Sequence, residues 1–145
     1  MNLSPAGLAL LKQSEGFRSR VYNDVAGFRT IGFGHRLNAH EDYPDGITLN
    51  EAIEILDADI AIAEAAVKKL VTVELTQGQF DALVDFVFNL GAGRLASSTL
   101  LRLLNAGEYS TAGLELLKWD HSGHVEVEGL KKRRAAEYQL WKEAA

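Results

Sequence analysis

The residue pattern predicts a mostly helical α+β fold, on three observations. Two capping boxes, Thr48-Leu49-Asn50-Glu51 and Thr76-Gln77-Gly78-Gln79, each head an amphipathic run. Residues 20–35 alternate with period two instead and are broken by turn residues, as a hairpin is. The 145 residues, 47% apolar and 24% charged, have the make-up of one ordinary globular domain with a sizeable core, taken as residues 1–145.

In chain order, Ser4-Pro5 starts a first helix: serine caps free N–H groups, and proline fits the first helical position. The helix should stop at Glu15, because Gly16 can take the left-handed conformation that follows a helix end. Arg20-Val21-Tyr22 is a short strand, Asn23-Asp24 and Ala26-Gly27 carry turn chemistry, and residues 28–33 are the returning strand. Gly32 and Gly34 permit close backbone approach. Residues 36–47 have loop composition.

The first capping box opens a long helix to about Leu70. Ile53, Leu56, Ile60, Ala63, Val67 and Leu70 form its apolar stripe, while Glu54, Asp57, Asp59, Glu64 and Lys68 form a solvated face. The second opens a helix with Phe80, Leu83, Val84, Val87 and Phe88 turned inward, ending at Asn89-Leu90-Gly91. Ser97-Ser98-Thr99 opens another, closed by Asn105-Ala106-Gly107. Ser110 opens the next, whose Leu114 and Leu117 are expected in the packing with Trp119. Residues 120–129 read as a loop, and 130 to about 143 as the last helix.

Chemistry concentrates between Glu15 and His35. Glu15 falls in a last helical turn, Asp24 at the hairpin turn and Thr30 on the returning strand. Singly, a Glu at a helix end is usually solvated and Asn-Asp in a turn bonds nearby backbone. Together they suit glycoside hydrolysis, which needs one protonated acid for the leaving oxygen and one ionised carboxylate for water or the oxocarbenium charge. The negative end of the helix dipole pushes the Glu15 pKa up, as a general acid near neutral pH requires. Arg18 and Arg20, if close, pull it down.

The residues Glu15-Gly16, Tyr22-Asn23-Asp24, Gly27-Phe28 and Thr30-Ile31-Gly32-Phe33-Gly34-His35 resemble the signature of the phage-type lysozymes (endolysins) of glycoside hydrolase family twenty-four. LTQGQFDALVDFVFNLG at 75–91 and GLKKRRAAEYQLW at 129–141 resemble that family's later blocks. The resemblance implies a lysozyme-like fold: a small hairpin lobe (about 16–47), a connecting helix (about 49–70) and a larger helical lobe (about 75–145), with the substrate groove between. It implies hydrolysis of the β-1,4 bond between N-acetylmuramic acid and N-acetylglucosamine in peptidoglycan, with inversion. Glu15 would be the general acid, Asp24 the second carboxylate, and Thr30 a residue that positions water. His35 and Arg36 are set as substrate-binding residues, together with Phe88 and Asn89, which otherwise read as a core aromatic and a helix stop. The basic run Lys131-Lys132-Arg133-Arg134 either steadies its helix through Arg133–Glu137 and Arg134–Tyr138 or sends one cation to Glu15. In the family, the 120–129 region closes over the groove. A lytic transglycosylase needs the acid but no water-positioning carboxylate; a non-catalytic wall-binding protein needs neither.

The net charge of −5 argues against nucleic acid, and it repels an anionic wall at long range, so salt-sensitive activity is expected. The chain has no cysteine, hence no disulfide framework or thiolate metal site, which suits a reducing cytoplasm. No signal segment is visible, and Leu8-Ala9-Leu10-Leu11 is too short to span a bilayer. The protein is therefore expected in the host bacterial cytoplasm, without stable membrane association, reaching the wall after a partner such as a holin permeabilises the membrane. No cofactor or metal is expected: His40 with its acidic neighbours, and His121, His124, Glu126 and Glu128, match no ligand spacing. A monomer is expected.

Overall fold

The structure is a computed structural model and describes residues 1–143; positions 144 and 145, the last two of the expected helical lobe, lie outside the described residues. The elements run α1 (Pro5–Glu15), β1 (Arg18–Asn23), β2 (Arg29–Gly32), β3 (His35–Arg36), α2 (Leu49–Leu70), α3 (Gln77–Leu90) and α4 (Ala92–Ala96). There follow α5 (Thr99–Asn105), α6 (Tyr109–Glu115), a 3-10 turn (Leu116–Lys118), β4 (His121–Ser122), β5 (Val125–Glu126) and α7 (Glu128–Lys142). The α+β class, mostly α, is what the chain adopts.

Helix starts follow local chemistry. Ser4 Oγ accepts the Gly7 N–H, with Pro5 at the first helical position. At α2 the capping box is complete: Glu51 N–H donates to Thr48 Oγ1, and Thr48 N–H donates to Glu51 Oε1. Thr76 and Gln79 repeat the arrangement at α3. Each cap stabilises its helix by about 1 kcal/mol.

The expected hairpin is a three-stranded antiparallel sheet in the order β1-β2-β3. Tyr22 pairs with Thr30 across β1 and β2, and Ile31 pairs with His35 across β2 and β3. The expected strand 28–33 ends at Gly32 because the chain reverses there: Gly32 and Gly34 sit at φ +66° and +72°, and His35-Arg36 fold back onto Thr30-Ile31. This reversal brings Gly34 against the end of α1.

Two apolar cores share α2. Its Ala52, Leu56 and Ile60 pack with Leu11, Ile31, Phe33 and Ile47 beneath the sheet. Its Ala63 and Val67 join the helical core of α3, α5 and α7, around Phe80, Phe86, Leu100 and Trp141. Ile53 and Leu70 lie at the edge of the stripe rather than inside it, and Ala52 takes the inner place. On the face expected to be solvated, Glu64 accepts the Leu3 N–H, and Asp59 is tied to His35.

α3 is buried nearly all round, since it touches α1, α2, α4 and α7. The expected placement of Leu114 and Leu117 is overturned: they are 51% and 37% exposed. α6 docks through its small residues instead. A side chain at Gly113 would collide with the Trp141 ring, whose Nε1–H donates to the Tyr109 carbonyl at 2.9 Å. The loop expected over 120–129 contains the short hairpin β4–β5, and the last helix begins two residues early, at Glu128. The helix expected from Ser110 starts at Tyr109, and α4 was not anticipated.

Candidate active site

A groove of about 400 Å³ runs between the sheet and the helices. Glu15, Tyr22, Asp24, Thr30, His35 and Arg36 line one side; Asp59, Ile62 and Ala66 of α2, with Phe88, Asn89 and Leu90 of α3, line the other. All seven residues singled out in the sequence therefore meet in one place. None of the lining residues comes from 120–129. A second pocket, about 310 Å³ near Ser97 and Arg102, contains no carboxylate.

Glu15 closes α1, and Gly16 follows at φ +68°, its N–H returned to the Lys12 carbonyl. The Glu15 side chain is only 17% exposed. Burial raises its pKa above the ordinary carboxylate value; Arg133 opposes this, Asp85 adds to it, and Arg36 opposes it more weakly. The cause differs from the one read in the sequence. Burial outweighs everything else, and the opposing cations are Arg133 and Arg36 rather than Arg18 and Arg20. Arg18 lies over the Tyr22 ring at 4.5 Å. Arg133 reaches Glu15 from the far end of the chain, Nη1 donating to Oε2 at 3.0 Å.

Asp24 sits in the β1–β2 turn. Its Oδ1 accepts the N–H groups of Ala26 and Phe28, both at 2.9 Å, which fixes the carboxylate to its own turn. Oδ2 is turned to Arg36 Nε at 3.3 Å. Thr30 is 2% exposed, and its Oγ1 donates to the Phe28 carbonyl at 2.8 Å. With that hydrogen committed, the hydroxyl presents lone pairs to any further partner.

His35 has both ring nitrogens engaged: Nδ1 lies 2.7 Å from Asp59 of α2, and Nε2 lies 2.9 Å from Glu41. Tyr43 donates its hydroxyl to the same Glu41 at 3.1 Å. Burial opposes a charged imidazole here, but the two carboxylates outweigh it and hold the His35 pKa above its ordinary value. His35 therefore ties the sheet to α2 and offers the groove only its ring. Arg36 stacks over Phe28 at 4.2 Å. Phe88 is half-buried and packs on both cores, while Asn89 Oδ1 accepts from Arg134 Nη2 at 2.9 Å.

The basic run of α7 does not form the pairs Arg133–Glu137 and Arg134–Tyr138; it takes the other course expected of it and sends one cation to Glu15. Arg133 turns inward to Asp85 and Glu15, and Arg134 pairs with Glu137 at 2.8 Å. Sequence reasoning missed Asp59 and Asp85 as site neighbours. Asp85 had a signal: an acid within the apolar run Leu83-Val84-Asp85-Phe86-Val87 must be buried with a partner. Among the described residues no group of three or more His, Cys, Asp or Glu could hold a metal ion, and no described helix is long and apolar enough to cross a membrane.

The model of the phage lysozyme family matches residues 12–137. The chain is 43% identical over 144 residues to an endolysin of Bacillus phage B103, an alignment covering 97% of this chain and 54% of that protein. It thus spans about half the length of that relative. It is 40% identical over 148 residues to an endolysin of Acyrthosiphon pisum secondary endosymbiont phage 1, covering 99% of this chain and 100% of the other. Among solved structures, the muramidase domain of SpmX from Asticaccaulis excentricus superposes with a TM-score of 0.88 at 33% identity, covering 99% of both chains.

Proposed function

The chain belongs to the phage lysozyme family, and on that premise we propose that it is a muramidase, hydrolysing the β-1,4 bond between N-acetylmuramic acid and N-acetylglucosamine in peptidoglycan. The observation that carries this reading is the meeting of a buried carboxyl, Glu15, with Asp24 and Thr30 in one groove. Glu15, its pKa pushed up by burial, gives its proton to the glycosidic oxygen. A water held by Asp24 Oδ2 and Thr30 Oγ1 donates a hydrogen to each, because both are acceptors. Its free lone pair then faces the anomeric carbon; as the new C–O bond forms opposite the breaking glycosidic bond, Asp24 takes the water's proton and the configuration inverts. Arg36, backed by Asp24 and Phe28, contacts substrate on the sheet side, while Phe88 and Asn89 do so from α3.

In this reading one monomeric domain acts on the wall, after the host membrane has been permeabilised by a holin. Digestion of purified peptidoglycan tests it. Mass spectrometry should find products that together exceed the parent strand by one water per bond cleaved, and proton NMR should find the α-anomer first. Anhydro-ended fragments would assign a lytic transglycosylase, and no fragments a non-catalytic wall binder.

A further inference from the structure

Asp85 lies in the middle of α3, fully buried, flanked by Val84 and Phe86. A charge placed there is costly unless it is fully partnered. It is held by one edge of the Arg133 guanidinium, Nε donating to Oδ2 at 2.9 Å and Nη2 to Oδ1 at 2.8 Å, and by a hydrogen bond with the Glu137 carboxyl. Arg133 is itself buried, so this fork cannot swing out into water. On the other side, Arg134 Nη2 lies 4.0 Å from Asp85 Oδ2. That nitrogen is held in turn by Asn89 and Glu137, and the guanidinium lies over the Phe86 ring at 5.4 Å. The one nitrogen of Arg133 left outside the fork is Nη1, and it is this nitrogen that meets Glu15 Oε2.

We propose that Asp85 is a positioning residue for proton donation by Glu15: by gripping the Nε–Nη2 edge of Arg133, it limits the guanidinium to one contact, on Oε2, and so assigns the transferable proton to Oε1. The proposal rests on the reading of Glu15 as the acid. Oε1 is the oxygen turned to the Gly34 backbone, where a Cβ would stand 2.5 Å from it. A guanidinium without this grip would meet the carboxylate edge-on, with two parallel N–H donors, one on each oxygen. That geometry engages both oxygens and favours the ionised carboxylate, the wrong state for an acid. The charged and titratable groups that face Glu15 are Arg133 on α7, Asp85 on α3, Arg36 on β3 and Tyr22 on β1. Asp85 therefore acts twice in one direction: its own charge disfavours the ionised Glu15, and its grip limits Arg133 to one of the two Glu15 oxygens.

The test is the pH dependence of kcat and KM on soluble glycan strands, from about pH 4 to pH 9, for the parent, Asp85→Asn, Arg133→Lys and Glu15→Gln. The basic limb of the profile reports the acid losing its proton. In Asp85→Asn the limb should move to lower pH, with kcat at pH 7 about tenfold lower and KM within about twofold of the parent. In Arg133→Lys the ammonium has no planar fork to span Asp85 and Glu15 and stays with the more deeply buried Asp85, so the limb should move to higher pH. Asp85→Asn with the parental limb overturns the proposal, whatever its stability. If Asp85→Asn does not fold, Arg133→Lys decides alone: an upward limb supports the proposal and an unmoved limb overturns it. Residual activity of folded Glu15→Gln at the parental level would instead overturn the reading of Glu15, a separate result.

Discussion

Replacing Gly34 with alanine separates the strain of the sheet reversal from its effect on the carboxyl beside it. Gly34 has φ +72°, where an L side chain costs about 1–2 kcal/mol. Its Cβ would stand 2.5 Å from Glu15 Oε1, 2.7 Å from Cδ and 3.2 Å from Oε2. Ordinary carbon–oxygen approach is about 3.3 Å, so the Glu15 carboxyl must retreat by somewhat under 1 Å. A misplacement of about 1 Å in a catalytic group costs on the order of a hundredfold in rate. Gly107→Ala is the matched control: φ there is +84°, and nothing lies within 4 Å of the added methyl. Urea denaturation should show both variants destabilised by about 1–3 kcal/mol, since both carry the same backbone strain. Release of reducing ends from peptidoglycan, per folded molecule, should fall about a hundredfold in Gly34→Ala and stay parental in Gly107→Ala. A Gly34→Ala protein with parental turnover, or an equal loss in both, would refute this placement of Glu15.

The other expectations follow from groups around the groove. Because two carboxylates raise the His35 pKa, the stability they confer is full below about pH 6.5 and is lost as pH rises through the elevated folded value. Glu41, pulled below its ordinary range by the Asn38 N–H, His35 and Tyr43 against the effect of burial, contributes above about pH 4.5 and loses that contribution as pH falls through its depressed value. Thermal melts from pH 5 to 9 should therefore show a Tm decline on the alkaline side that His35→Gln abolishes; an unchanged slope in that variant argues against the clamp. Burial, with the neighbouring Asp85, holds the Glu137 carboxyl well above the ordinary range, so Glu137→Gln should change stability by less than about 1 kcal/mol in urea. A loss of about 3–5 kcal/mol would mean the carboxyl is ionised. Asp24→Asn keeps an oxygen for the Ala26 and Phe28 N–H groups, so it should melt within a few degrees of the parent while turnover drops by about a hundredfold or more. Parental turnover would remove Asp24 from the chemistry.

What was legible in the sequence is what neighbouring residues decide. The two capping boxes form between residues three apart, Gly16 ends α1 after Glu15, and the Asp24 turn closes on its own N–H groups. The convergence of Glu15, Asp24 and Thr30 was readable because a helix end and a short sheet are adjacent in the chain. Pairings across long separations were not readable. Arg133 meets Glu15 across 118 positions and Asp85 across 48, so no local spacing marks which of four consecutive basic residues turns inward. The reading of Asp59 failed for a related reason: a stripe analysis separates apolar from polar faces but does not say where a sheet will lay a histidine on the polar one. Leu114 and Leu117 were assigned to the core by type, whereas α6 packs through Ala112 and Gly113 against Trp141.

The central claim is that Glu15 is the acid of a wall-degrading glycosidase, and one comparison addresses it directly. Chloroform-treated Gram-negative cells would be exposed to equal amounts of folded parent protein and folded Glu15→Gln, a near-isosteric change that removes the transferable proton. Clearing by the parent and none by the variant is the expected result. Equal clearing by both would make Glu15 structural and contradict the mechanism, and clearing by neither would contradict the assignment of the groove to this substrate.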